Sequence, residues 1–461
     1  MTALLWLRRD LRRSDHPALL AARDAAGEGD LVIAFVVDPR LWDGGGAARR
    51  AWLAATLRAT KVAFDGSLTL LYGDPRQVVP ALAARVGASS VHVTRETTPA
   101  GRRRDEVVAG RLQTLGVQWV ETGSPYAVGP GLIRNGTGDP YKVFTPFARA
   151  WRDRGCPAPA PRPDVLPLRH AGDDPAALAA LSAALAVPDL PVLPEAGEGA
   201  ALTRWRAFRE GALAAYAQDR NRPDLDGTSR LSPYLKLGVV HPRTLLADLA
   251  SERGSGPETF VSELAWREFY ADVLWHQPRT AWHDLRPEMS RMRYDEPQDA
   301  IEAWKSGRTG YPIVDAGMRQ LRSEGWMHNR VRMITGSFLT KDLHVWWPLG
   351  ARHFMEHLID GDIASNNHGW QWVAGTGTDA SPYFRVFNPI TQGLRFDPTG
   401  DYVRRWVPEL AHLPGAAAHE PWDVAHGYAH GYSRRIVDHA AERTDALERL
   451  RVAKSLGLPD S

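Results

Sequence analysis

Two apolar runs decide the fold: Ala3-Leu4-Leu5-Trp6-Leu7, followed by Arg8-Arg9-Asp10, and Leu31-Val32-Ile33-Ala34-Phe35-Val36-Val37. Neither alternates apolar with polar residues, so each reads as a strand buried on both faces, as in a parallel sheet. Further strands are predicted at residues 68–72, 90–94 and 117–121. Between them, residues 75–85 and 99–115 read as helices, stopped by Gly87 and Gly116. Strand, helix, strand, repeated, predicts a doubly wound, Rossmann-like α/β domain over residues 1–128. No glycine-rich phosphate loop follows the first strand, which argues against a dinucleotide at that turn.

Outward from this domain the composition changes. Residues 157–194 hold 9 of the 34 prolines, so residues 129–200 are expected to connect two domains, with one Ala-rich helix near 175–187. From 201 to 461 the periodicity is helical, with helices predicted at 201–219, 242–252, 257–276, 297–306, 317–324 and 330–343. The expected fold class is α/β followed by all-α.

The chain has 461 residues, and 56 Lys+Arg against 54 Asp+Glu leave a net charge of only +2. A nucleic-acid partner would therefore need cations gathered locally. One cysteine, Cys156, excludes an internal disulfide and a cysteine-based metal site, and it fits a reducing, cytoplasmic setting. No apolar run approaches the length of a membrane span, and Met1–Arg13 places arginines where a secretory leader would be apolar. Of 17 tryptophans, 12 lie beyond residue 200.

Three stretches carry chemistry. Gly227-Thr228-Ser229-Arg230-Leu231-Ser232-Pro233 sets hydroxyls and free amides before an apolar helix, which suits either a plain cap or a phosphate. Glu263, Trp266, Arg267 and Tyr270 share one helix face, a mixture unlike a greasy core stripe. Asp360-Gly361-Asp362-Ile363-Ala364-Ser365-Asn366-Asn367-His368-Gly369-Trp370-Gln371-Trp372 gathers carboxylates, amides and indoles as a flat, polar-edged heterocycle would require. Two matches are discounted. His353-Phe354-Met355-Glu356-His357 fits H-x-x-E-H by chance in a chain with 16 His, and no metal is expected. Gly375-Thr376-Gly377-Thr378-Asp379-Ala380 follows no strand and reads as a turn.

These stretches, with Thr309-Gly310-Tyr311-Pro312-Ile313-Val314-Asp315-Ala316, Gly325-Trp326-Met327-His328-Asn329-Arg330 and the run 360–389, resemble the photolyase/cryptochrome family over nearly the whole chain. The resemblance implies an α/β antenna domain (1–128), a linker (129–200) and a helical FAD-binding domain (201–461). It implies FAD, active when reduced, held by Tyr216, Thr228, Ser229, Arg230, Leu231, Ser232, Arg267, Asn329, Arg332, Asp360, Gly361, Asp362 and Asn366. A second, antenna chromophore is left undecided between an 8-hydroxy-deazaflavin and methenyltetrahydrofolate. The activity implied is that of a class I photolyase: blue-light splitting of cyclobutane pyrimidine dimers, a carbon–carbon lyase reaction on ultraviolet-damaged DNA.

By the same resemblance, Arg220, Glu263, Trp266, Asn329, Arg330, Met333, Trp372, Arg385 and Gln392 would bind the lesion and its strand. Glu263 and Asn366 would act at the reacting centre. Trp370, Trp347 and Tyr294 would carry electrons, Tyr294 standing where many relatives have Trp, with Trp346 or Trp304 as substitutes. Asn329 and Met333 stand where two His would mark the (6-4) lesion, so the cyclobutane dimer is expected. A cytoplasmic monomer without an obligate protein partner is expected. A light sensor without repair and a dark FAD oxidoreductase are the alternatives.

Overall fold

The computed structural model describes residues 1–378 and 384–455. Five parallel strands, β1 (Thr2–Leu7), β2 (Leu31–Val37), β3 (Leu68–Tyr72), β4 (Ala88–Val93) and β5 (Gln118–Glu121), form one sheet in the order β3-β2-β1-β4-β5. The doubly wound prediction holds. β1 and β2 are buried almost throughout because helices cover both faces, which is why their sequences never alternate.

The order reverses between β1 and β4, where such folds hold their ligands. Here the protein's own side chains fill that place. Asp10 accepts from the Arg8 amide at 2.7 Å and from the Thr94 hydroxyl at 2.6 Å, while Arg8 binds Asp105 and the Thr94 carbonyl. Burial pushes the Glu96 carboxyl up, but Arg9, Arg104 and Arg8 outweigh it and bring it down to about 2.

Compactness divides the chain into residues 1–211 with 229–278, and residues 212–228 with 279–461. These units do not divide at 128 or 200, for physical reasons visible in the first unit. The proline-rich segment is tied to the sheet: the Leu31 amide donates to Pro167 O (2.7 Å), and Leu70 exchanges bonds with Asp173 and Asp174. The helix Pro175–Leu185 continues from there. The short helix Ser232–Leu237 ends at Gly238, whose φ is +64°; a Cβ there would lie 1.9 Å from the Arg9 carbonyl oxygen. Only glycine permits that approach.

The predicted helix at 201–219 is two pieces, Glu198–Glu210 and Tyr216–Asp219, broken after Gly211. That at 330–343 is an α-helix, Asn329–Ser337, followed by a π turn, Phe338–Asp342. The stretch 317–324 belongs to a longer helix, Pro312–Glu324. Of the Gly375–Ala380 motif, Gly375 caps the helix Ile363–Ala374 in the left-handed region, and Asp379 and Ala380 lie outside the described residues, as do residues 381–383 of the run 360–389.

The second unit has a helical core in which Trp304, Trp347 and Trp370 are buried with Phe338, Phe354 and Tyr402. Much of the tryptophan excess is therefore packing. Trp370, on the helix Ile363–Ala374, reaches the backbone of the helix Trp347–His357 at Gly350. A Cβ on Gly350 would lie 2.3 Å from the indole and 2.6 Å from Leu339. We expect Gly350→Ala to lower stability by about 1–3 kcal/mol, as overpacking does. Urea unfolding followed by circular dichroism measures it, and Gly369→Ala, with open space around it, is the control.

Candidate functional site

In the second unit the helix Ile363–Ala374 starts at Asp362, whose carboxylate accepts from the amides of Ala364 and Ser365, both at 3.1 Å. This is an N-cap. Two residues earlier, buried Asp360 takes the Arg332 guanidinium at 2.8 Å, and Arg332 also donates to Met327 O at 2.8 Å. The other Asp360 oxygen is buried and has no partner among the described residues. A buried oxygen of this kind calls for a donor.

Asn366 sits one turn into the helix. Its amide nitrogen donates to Ala351 O (3.1 Å) and Asn367 Oδ1 (2.8 Å), which fixes the side chain through its nitrogen. The rest of the polar stretch has another role. Gln371 donates to Thr280 O and accepts from the Leu285 amide, Asn367 donates to Ala281 O, and His368 faces Thr280 and Ala364 O. Burial pulls the His368 imidazole down to about 4, so it is neutral. These three residues fasten segment 280–285 to the helix, so only part of this inventory is left for a ligand.

Trp370 packs edge-on against Trp304 (ring centroids 6.1 Å apart) and Phe354 (4.9 Å). Trp347 is buried and donates its indole N–H to Asp284 at 2.8 Å; Trp346, partly exposed, lies edge-on to it at 6.5 Å. Burial pushes the Asp284 carboxyl up, against the hydrogen bonds of Trp347, Thr376 and Trp346. Burial, and then the Asp284 charge, push the Tyr294 phenol upward too. Tyr294 and Trp347 thus share Asp284 as a neighbour.

The helix Asn329–Ser337, Trp372 and residues 384–396 enclose a cavity of about 690 Å³. It collects Arg330, Met333, Trp372, Arg385 and Gln392, five of the nine residues expected at the lesion. It also collects Asn221, Phe384, Phe387, Arg395, Phe396 and Arg443, which the motifs did not single out. Among the described residues, four arginines and no carboxylate line it. Arg330 donates to Asn221 Oδ1 at 2.7 Å and lies over the Phe396 ring at 4.4 Å. Burial, with Arg220 and Arg395 nearby, brings its guanidinium down to about 10. Asn329, by contrast, is exposed at the helix start.

Behind residues 384–387, buried Lys341 donates to Arg385 O and lies 4.1 Å from the Phe384 ring. Elsewhere, donor atoms of His353, Glu356 and His357 fall within 4.8 Å of one another. Burial, then the charges of His357, Lys305 and Arg322, hold His353 down at about 3.

In the first unit, Glu263, Trp266, Arg267 and Tyr270 are half-buried along the helix Ser255–His276, while Leu264, Ala265, Glu268 and Phe269 are buried. Phe144 stacks flat on Trp266, with centroids 3.6 Å apart and planes 8° apart, so one face of that indole is already covered. Arg267 donates to Pro125 O and Leu235 O and lies over Tyr126 at 4.3 Å. The Ser229 hydroxyl accepts from the Leu231 amide, Arg230 has φ of 50°, and Leu231 is buried. The helix that follows begins at Ser232.

Breaking the Arg332–Asp360 pair tests this geometry. We expect Asp360→Ala to cost about 1–3 kcal/mol, since it leaves a half-buried guanidinium without its carboxylate, and Asp360→Asn to cost less. Urea midpoints compare the two.

Residues 3–164 match the family described as DNA photolyase, and residues 260–452 the FAD binding domain of DNA photolyase. The chain is 40% identical to the deoxyribodipyrimidine photo-lyase of Halobacterium salinarum, over 96% of this chain and 98% of that one. A bacterial class III photolyase from Agrobacterium tumefaciens shares its structure with TM-score 0.90 and 34% identity, covering 98% of both chains. An archaeal photolyase from Sulfolobus tokodaii, solved with two FAD molecules, gives TM-score 0.81 and 27% identity over 98% of this chain and 100% of that one.

Proposed function

The chain belongs to the DNA photolyase family, and from that premise we propose how its residues divide the light-dependent repair of pyrimidine dimers. It is an FAD-dependent deoxyribodipyrimidine photo-lyase that splits the dimer in ultraviolet-damaged DNA. The observation that carries the assignment of residues is the cavity of about 690 Å³ with four arginines, a tryptophan wall and, among the described residues, no carboxylate.

A dimer stacks and pairs poorly, so extruding it from the duplex costs less than extruding an intact base. Trp372 offers an aromatic face inside the cavity, worth roughly 1–3 kcal/mol per stacked base. Arg330 and Arg385, with Arg220 and Gln392, hold the backbone that leads in and out. Met333 supplies apolar contact; Glu263, Trp266 and Asn329 complete the set that reads the lesion.

The residues fit FAD on two counts: the orphaned Asp360 oxygen is an acceptor awaiting a donor, and the Asn366 amide, anchored through its nitrogen, brings a neutral acceptor oxygen. Asp360, Gly361, Asp362, Arg332, Asn329, Asn366 and Tyr216 would hold it, together with Thr228, Ser229, Arg230, Leu231, Ser232 and Arg267. Reduced FAD, when bound, supplies on absorbing blue light the electron that opens the dimer and receives it back. Asn366 accepts a hydrogen bond without offering an acidic proton. Trp370 and Trp347 pass electrons inward to keep the cofactor reduced, and Tyr294 ends the relay. A phenol must shed its proton as it loses an electron; burial and the Asp284 charge oppose a phenolate at Tyr294, and Asp284, itself made more basic by burial, is the neighbouring group to receive that proton. A cytoplasmic monomer fits these roles, and an antenna chromophore, deazaflavin or folate, would add light without altering them.

Blue-light repair of a thymine-dimer oligonucleotide tests the reading. We expect light-dependent loss of the cyclobutane dimer, no restoration of the (6-4) product, one FAD released per chain and no stoichiometric zinc by elemental analysis. A light sensor or a dark oxidoreductase leaves the dimer intact.

The relay has its own test. We expect Trp370→Phe to suppress flavin photoreduction most and Tyr294→Phe to shorten the charge-separated state. Repair by chemically reduced protein should survive both changes. Unchanged lifetime in Tyr294→Phe by transient absorption would make Tyr294 a packed phenol and pass the last step to Trp346 or Trp304.

A further inference from the structure

We infer that the C-terminal helix His439–Ser455 is part of the DNA-binding surface, with Arg443 holding a backbone phosphate of the strand beside the lesion and Leu447 lying against that strand. The inference rests on the repair reading and extends it to an element that none of the recognised motifs includes.

The helix meets the cavity through these two residues alone, one turn apart on one face. Arg443 is exposed, and among the described residues it has no acidic partner. Its neighbours on the helix contrast with it. Arg449 is bound to Asp445 and Asp295, and Arg451 to Glu448. The acids nearest Arg443 in the sequence are engaged as well: Glu442 takes His344 at 2.8 Å and Asp445 takes Arg449 at 2.8 Å. His439 binds Asp342 on the π turn, which fixes the helix start. The anchoring contacts occupy the charges around Arg443 and leave its guanidinium at the cavity wall.

The cavity itself favours a polyanion. A single anion needs one or two guanidinium groups; Arg330, Arg385, Arg395 and Arg443 line this one, and among the described residues no carboxylate does. The depressed Arg330 guanidinium registers the crowding, since burial and the charges of Arg220 and Arg395 all act against it. Phosphates spaced along a strand relieve such crowding, and each contact displaces counterions. Leu447, 38% exposed, gives the apolar footing that a sugar edge accepts.

The test is a salt titration of binding by fluorescence anisotropy on the FAD-loaded protein, using a duplex with one thymine dimer and the same duplex undamaged. We expect Arg443→Gln to weaken both by roughly three- to tenfold and to lower the slope of log K against log salt by about 1, as loss of one phosphate contact does. Arg443→Lys should keep the slope. Arg451→Gln, which removes a paired cation away from the cavity, should leave affinity unchanged. In repair assays Arg443→Gln should raise KM and spare kcat. Wild-type preference for the dimer with an unchanged slope in Arg443→Gln overturns this inference alone. A wild-type chain with no preference for the dimer overturns the repair reading and this inference with it.

Discussion

A missing side chain at Gly350 lets the Trp370 indole lie on the backbone of the neighbouring helix, and that contact sits within the helical core of the second unit. Trp370 can then face Trp304 and Phe354 on its other sides, and Asn366, one turn earlier, can donate to Ala351 O. Asp362 starts the helix and Gly375 ends it, so the helix is held at both ends and in the middle. On such a scaffold Trp372 reaches the cavity while Trp370 stays in the core. Two indoles two residues apart point to different faces because a helix turns about 100° per residue.

Charge is handled in two ways. At the end of the sheet Arg8, Arg9, Asp10, Glu96, Arg104 and Asp105 bind one another, so little charge is left for a ligand at that point. Along the cavity, four arginines stand with no acid among the described residues that line it. The half-buried Arg330 guanidinium is costly in that setting until an anion arrives, whereas the exposed Arg385, Arg395 and Arg443 stay open to one. A net charge of +2 hides both patterns, because composition averages over position.

The parallel strands were legible because burial on both faces writes unbroken apolar runs, and their predicted limits fall within about two residues of those in the structure. The break after Gly211 and the π turn after Ser337 were not, since both follow from packing rather than local pattern. In the stretch 360–372 the unusual inventory was visible, but its division was not: Asn367, His368 and Gln371 fasten segment 280–285, whereas Asp360 keeps one oxygen without a partner among the described residues. Phe384, Phe387, Arg395 and Arg443 went unnoticed because a phenylalanine or an arginine in a loop or on a helix surface carries no periodic signal.

By itself the sequence determined the fold class and the kind of chemistry, because periodicity, capping residues and a dense set of polar and aromatic motifs are local properties of the chain. Only the tertiary structure decided which arginines are paired and which are not, which face of Trp266 is covered, and that residues 221, 330, 372, 385 and 443 meet around one cavity. Those are distances between residues far apart in the chain, and they are set by how helices pack rather than by the order of the letters.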